Sequence, residues 1–325
     1  MKNDLKTLSD SIRYFADEQV CIDTVAGMRW PDGPACPKCG SAAERQHYLK
    51  TQKRWQCRDC GKQFSVKVGT IFEDSAIRLD KWLTAMWLLA NCKNGISSYE
   101  IARAVGVTQK SAWFMLHRIR YAMKNHSLRK LGSTGGPVEV DETFVGGKPK
   151  NMHASRRLQL QTALHGHGDH TTVVMGMLNR DTREVRTKVI PNVKRETMQA
   201  EILRQVQGTG TVYSDQHHGV RQSKIQEFVH ETVNHMEEYV RGQVHTQGIE
   251  NFWSLLKRTL GGTYVAVEPF HLDAYADEQA FRYNYRTTKD NPLDDQDRFM
   301  LAVSQVSGKR LTYAELTGKV GETTV

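Results

Sequence analysis

Apolar positions along the chain change period several times, and each change predicts an element. In His245-Thr-Gln-Gly-Ile-Glu-Asn-Phe-Trp-Ser-Leu-Leu-Lys-Arg258 the apolar residues are Ile249, Phe252, Trp253 and Leu256, with Leu260 beyond. That is the spacing of a helix with one buried face. A helix turns ~100° per residue, so Glu250 stands on the border of that face and Lys257 returns to within about 20° of Glu250. Helical spacing also appears in residues 1–20 (Leu8, Ile12, Phe15, Ala16), Asp80 to Cys92 (Trp82, Leu83, Met86, Leu89), and Thr108 to Met123 (Ala112, Met115, Leu116, Ile119). Residues 195–206 and Glu268 to Tyr285 are also predicted to be helical. Strands are predicted at Pro137 to Asp141, Thr209 to Tyr213 and Glu231 to Asn234, and as a hairpin from Thr171–Leu178 to Glu184–Ile190 across Asn179-Arg-Asp-Thr182. The tail after Asn291 is polar, with one short helix at Thr312 to Leu316.

The pattern divides the chain into an N-terminal helix (1–20), a cysteine-bearing segment (21–72), a helical segment (73–131), an α/β domain (132–290) and a tail (291–325). A length of 325 residues, 39% hydrophobic and 25% charged, is an ordinary globular mix with room for two or three domains. The net charge of +9 favours a polyanionic partner, nucleic acid first. No apolar run follows the opening Met-Lys-Asn-Asp, and Trp82 to Ala90 is too short to span a bilayer. A cytoplasmic protein without membrane contact is expected.

Cys36, Cys39, Cys57 and Cys60 are spaced C-x2-C-x17-C-x2-C, and each pair is followed by glycine. This is the spacing of a four-thiolate Zn²⁺ site, structural because every coordination position is filled. Two redox-active pairs are the competing reading; the matched knuckles and the strand-like insert between them favour a zinc ribbon. Cys21 and Cys92 fit no metal spacing and read as packed thiols. Lys53 and Arg54 lie among Tyr48, Trp55 and Phe64, an interleaving of cations and rings that suits DNA.

Downstream, Asn94-Gly95 ends one helix, and Ser97-Ser-Tyr-Glu100 is a capping box opening a second. Gly106 makes a turn, and Thr108 caps a third helix. This is a helix-turn-helix pattern. It predicts that Gln109, Lys110, Trp113, His117, Arg118 and Arg120 are exposed and face the major groove or phosphates. A plain helical hairpin is the alternative.

Two predicted strands lead to carboxylates, Asp141 and Asp215, and the amphipathic helix offers Glu250. Three acids converging from separate elements make an oxygen-rich site for two Mg²⁺ (or Mn²⁺) ions acting on phosphorus. Lys257 then stands where DNA backbone charge needs neutralising. Glu142 points to the other side of its strand from Asp141. His217, His218 and His245 either contact DNA or simply pack.

Arg29-Trp-Pro-Asp-Gly33, the Cys-x-x-Cys-Gly knuckles, Glu139-Val-Asp-Glu-Thr-Phe-Val-Gly-Gly147, Tyr213-Ser-Asp215, His245 to Glu250 with Leu256-Lys-Arg258, and His271 to Tyr275 through Phe281-Arg-Tyr-Asn284 occur in that order. Together they resemble the bacterial insertion-sequence transposases of the ISXO-like group. The resemblance implies an RNase H-like (retroviral-integrase-like) catalytic domain of the DDE type. Asp141, Asp215 and Glu250 take the positions of its metal-binding acids, and Lys257 that of the basic residue after the third. Some relatives place Asn at the third position. Asn251 is adjacent, but it faces away from the stripe that Glu250 borders. The implied activity is binding to terminal inverted repeats in double-stranded DNA, cleavage at the element ends and joining of 3′-hydroxyls to target DNA. A homodimer or higher oligomer on DNA would be required to bring two ends together. A non-catalytic DNA-binding regulator and a nuclease that cuts without joining are the competing functions.

Overall fold

The computed structural model describes residues 5–124, 127, 129–133, 136–146, 171–208, 210–215, 229–233 and 245–319, with the side chains of Asp215 and 229–233 outside the description. His217 and His218 therefore lie outside the described residues. The chain divides into two compact units, residues 1–124 with 285–325, and residues 125–284.

The first unit opens with two helices where one was expected, α1 (Leu8–Tyr14) and α2 (Glu18–Arg29). The Thr7–Asp10 capping box starts the first. Asp17 restarts the chain as the second by accepting the Gln19 N–H. The Cys21 thiol is buried and donates to the Phe15 carbonyl. Strands β1 (Gln46–Leu49), β2 (Arg54–Cys57) and β3 (Gln63–Phe64) form an antiparallel ribbon. The Trp55 ring packs against Trp30, Tyr48 and Phe64. Helix α3 (Leu79–Asn91) is buried along Trp82, Leu83, Met86 and Leu89. Helix α4 (Ser98–Val105) opens with the Ser97–Glu100 capping box and ends at Gly106, whose φ of 63° suits glycine. Thr108 caps α5 (Gln109–Met123) by accepting the Ser111 N–H.

The second unit is a five-stranded sheet in the order β6-β5-β4-β7-β8, built from β4 (Val138–Val145), β5 (Thr172–Asn179), β6 (Val185–Ile190), β7 (Thr211–Asp215) and β8 (Val229–Val233). The first three strands are antiparallel, and β7 and β8 run parallel to β4. Side chains alternate across a strand, so each face has its own core. On one face Val138, Val140, Val173, Met175, Met177 and Val212 pack with Met198 and Ile202 of α6 (Arg195–Gln205). On the other, Val174, Leu178 and Val185 pack with Ile249, Phe252, Trp253 and Leu256 of α7 (Gln247–Thr259), and with Tyr275, Ala276 and Tyr283 of α8 (Leu272–Asn284). Strand β4 does not end at Asp141 as expected. It runs on to Val145, because β5 continues to pair with it after its ladder with β7 has stopped at Val140.

The polar tail also departs from expectation. Asp294 and Asp297 form a capping box for α9 (Asp295–Ser304), which buries Phe299, Ala302 and Val303. Four of its first-turn and adjacent residues are charged, so its apolar stripe is short and the periodic signal weak. The Phe299 ring lies 5.6 Å from Phe15 and 5.3 Å from Trp87. Beyond it, the Ile71 N–H donates to Val306 O and the Gly308 N–H to Gly69 O. Helix α10 (Tyr313–Leu316) occupies the predicted place. No described helix is long and apolar enough to cross a membrane.

Phe299 is fully buried between two other rings of the first unit. Phe299→Ala is expected to destabilise that unit by about 3–5 kcal/mol, read as a lowered urea midpoint; an unchanged midpoint would show that the C-terminal return is not part of its core.

Candidate active site and zinc centre

The four cysteines meet. Their sulfurs lie within 4.8 Å of one another, with Cys36 to Cys60 at 3.7 Å and Cys39 to Cys57 at 3.6 Å. A tetrahedron with Zn–S bonds of ~2.3 Å has an edge of about 3.8 Å, so the set fits Zn²⁺. Each knuckle closes the same way. The Gly40 N–H donates to Cys36 O and the Gly61 N–H to Cys57 O, both glycines having positive φ. Backbone N–H groups of Cys60 and Asp59 also draw the Cys57 thiol down to about 6, which favours the thiolate a metal requires.

The acidic site is built on the face of β4 that carries Glu139 and Asp141, two residues apart and therefore on one side. Helix α7 crosses this face and meets both acids. Glu139 Oε2 accepts the Ile249 N–H at 2.9 Å, and Asp141 Oδ2 accepts the Trp253 indole N–H at 2.9 Å. Two residues of strand rise ~6.7 Å and four of helix ~6 Å, so the spacings match. Two glycines permit the approach. A Cβ on Gly248 would lie 2.8 Å from Glu139 Oε2, and one on Gly176 would lie 2.6 Å from the Trp253 ring.

Glu139 is completely buried and is held by an arginine. Arg180, in the β5–β6 turn, donates from Nε to Glu139 Oε1 at 2.7 Å. Its Nη2 donates to His245 O at 2.6 Å and meets His245 Nδ1 at 2.8 Å. Its guanidinium lies over the Tyr213 ring of β7. One side chain thus ties the hairpin, the central strand, β7 and the start of α7. Burial, and then the Arg180 charge, push the His245 pKa down.

The predicted aspartates stand on two strands that pair in parallel, β4 and β7. Val138, Glu139 and Val140 pair with Val212, Tyr213 and Ser214. The ladder stops there, and Asp141 and Asp215 are the residues that follow Val140 and Ser214 on the two strands. Burial, with Glu142 alongside, lifts the Asp141 carboxyl to about 7, while the Trp253 hydrogen bond pulls the other way. Glu250 adds to the same rise, so its charge is felt at Asp141. It sits one helical turn before Trp253, and its Oε1 accepts from Thr246 Oγ1 at 2.8 Å. Glu250, Asn251 and Lys257 are all exposed. Among the described residues the cysteines alone bring three or more ligand atoms together; the Asp215 carboxylate lies outside the description.

Comparison with known proteins gives a match for each of the two regions. Residues 133–284 match the family model of the ISXO2-like transposase domain, and residues 16–63 match that of the transposase zinc-ribbon domain. The chain carries an ISXO2-like transposase domain and a transposase zinc ribbon. It is also similar to an uncharacterized protein in transposable element ISH50 of Halobacterium salinarum, with 27% identity over 259 residues that span 77% of this chain and 85% of that relative. The acids fall inside the first matched span and the knuckles inside the second. Helices α3 to α5 and the C-terminal return lie outside both.

Those helices correct one expectation. His117, Arg118 and Arg120 are buried, not exposed. Arg118 donates to Leu311 O and Glu73 O, so the C-terminal return covers that part of α5. The polar periodicity of α5 could not reveal this cover, which comes from residues nearly two hundred positions away. Gln109 bonds Ser98 Oγ, and Lys110 is exposed with its ammonium over the Tyr313 ring. Trp113 is half-buried against His117. In the ribbon, Arg54 is exposed and Lys53 pairs with Glu18 at 2.6 Å. Glu139, Arg180 and the indole N–H of Trp253 were missed by the sequence reading. The available signal was Glu139 itself, an acid on the same strand face as Asp141 that needs a partner if buried.

Two outcomes follow from this geometry. The purified protein should carry one zinc per chain, and Cys57→Ser should lower that content and red-shift Trp55 emission; full zinc occupancy in the variant would contradict the four-sulfur site. Arg180→Ala leaves the Glu139 charge buried alone, so a loss of about 3–5 kcal/mol is expected. Adding Glu139→Gln should restore part of it in a double-mutant urea series, and strict additivity would deny the coupling.

Proposed function

We propose that this protein is a DDE transposase whose second unit is an RNase H-like domain, with Asp141, Asp215 and Glu250 as the acids that hold two Mg²⁺ (or Mn²⁺) ions. The observation that supports the reading is the parallel β4–β7 ladder, which ends one residue before Asp141 and Asp215, together with the Trp253–Asp141 bond that fastens α7, the helix of Glu250, to β4. Three antiparallel strands followed by two parallel ones support the fold assignment. Carboxylate oxygens are the hard donors these ions prefer. When bound, the ions supply Lewis-acid activation of the attacking oxygen and stabilise the leaving oxygen of an in-line displacement at phosphorus.

The chain's own groups have distinct parts. Asp141 is oriented by Trp253, and Glu250 is held by Thr246. Lys257, exposed two turns after Glu250, neutralises a backbone phosphate of the DNA end. The zinc ribbon, through Arg54 and its neighbours, and the α4–α5 pair acting as a helix-turn-helix, through Gln109, Lys110 and Trp113, bind the terminal inverted repeats. Burial keeps His117, Arg118 and Arg120 from direct contact, so they set the shape of α5. Transposition joins two ends, so a dimer or larger assembly forms on DNA.

The test is strand transfer with pre-cleaved duplex ends, Mg²⁺ and a target plasmid. The wild-type chain should join 3′-hydroxyls to target, and Asp141→Asn or Glu250→Gln should abolish joining while end binding persists. Asn251→Ala should leave joining intact. Binding with no cutting would favour a regulator, cutting with no joining a nuclease, and loss on Asn251→Ala alone would move the third ligand.

A further inference from the structure

We infer that Trp253 is a positioning residue for Asp141: its indole N–H occupies Oδ2 and so presents Oδ1 to the divalent ion, and Gly176 is the space that its ring requires. This inference rests on the proposed role of Asp141 as a ligand.

Asp141 and Gly176 are directly paired across the β4–β5 ladder. A Cβ at residue 176 would fall 2.6 Å from Trp253 Cζ2 and Cη2 and 2.9 Å from Ile249 Cδ1. Neither the fused ring nor a helix backed by Phe252 and Leu256 can yield that distance. Gly176 is not among the residues with positive φ, so backbone conformation does not call for glycine. A glycine inside a strand loses side-chain packing and so needs a reason; the Trp253 ring supplies one. The ring is only 5% exposed, so water cannot easily replace its N–H at Oδ2. The Phe252 ring stands edge-on to it at 5.3 Å and limits its rotation.

The chemistry of the donor matters as well. A lysine or arginine could hold the carboxylate equally firmly but would repel a divalent cation beside it. The indole is neutral and donates a single proton. It therefore fixes the carboxylate without consuming the negative charge. A merely structural tryptophan would need its rings and not its N–H, and phenylalanine would serve nearly as well.

That difference is the basis of the test. In the full chain, Mn²⁺ binding followed by the loss of free-ion EPR signal should weaken about 10–100-fold in Trp253→Phe, the range for removing a partner of a metal ligand. Strand transfer should require correspondingly more Mg²⁺ and recover at saturation. Gly176→Ala, which keeps the indole but displaces it, should move both readouts the same way. If Trp253→Phe does not fold, Gly176→Ala still decides, together with the Trp253 indole N–H resonance of the wild type, which should shift on Mg²⁺ saturation. Unchanged Mn²⁺ affinity in a folded Trp253→Phe, or an indole resonance indifferent to Mg²⁺, would overturn the inference. Asp141→Asn separates the two claims. If it abolishes metal binding and joining while Trp253→Phe changes neither, the positioning role fails and the active-site assignment stands. If Asp141→Asn still joins DNA ends, the assignment itself fails.

Discussion

The second unit depends on how closely one helix lies on one strand. Glu139 and Asp141 place two carboxylates on the α7 side of β4, where burial would otherwise be costly. Each is met by a donor from the helix, one from its first-turn backbone and one from an indole a turn later. Arg180 supplies the countercharge for Glu139. Sliding or rotating the helix would break both the Ile249–Glu139 and the Trp253–Asp141 bonds. Its register is therefore set by polar contacts as well as by Ile249, Phe252, Trp253 and Leu256. Because Glu250 follows Ile249 directly, fixing Ile249 also fixes where the third acid of the proposed site stands.

The first unit is organised by different means. Four sulfurs at metal-binding spacing hold the ribbon, where β3 has only two residues and Trp55 supplies much of the apolar contact. The helical part is completed by a segment from the far end of the chain, with Phe299 entering between Phe15 and Trp87. The chain leaves this unit at Lys124 and rejoins it at Tyr285. The acid-bearing unit is thus inserted in sequence between two parts of the other.

Much of this was legible in the sequence because it is local. Knuckle spacing, the Ser97 capping box, the hairpin turn at Asn179 and the stripe of α7 all depend on residues within a few positions of one another. The aspartates were picked out by motif, and the structure adds that their strands pair in parallel. What was not legible was long-range. Arg118 reads as an exposed helix cation until Leu311 and Glu73 are placed over it. Helix α9 has a strong cap but a sparse apolar stripe. Trp253 looked like core, and it is, but its N–H has a partner more than a hundred residues away. Gly176 and Gly248 carry no local signal, since their meaning lies in the atoms facing them.

The most direct measurement is anomalous diffraction from crystals of the protein grown with Mn²⁺ and a DNA end. Two peaks about 4 Å apart, ligated by Asp141, Asp215 and Glu250 with Asp141 Oδ2 still bonded to the Trp253 indole, are the expected result. Manganese bound away from these carboxylates, or held by Asn251 with Glu250 turned to solvent, would contradict it.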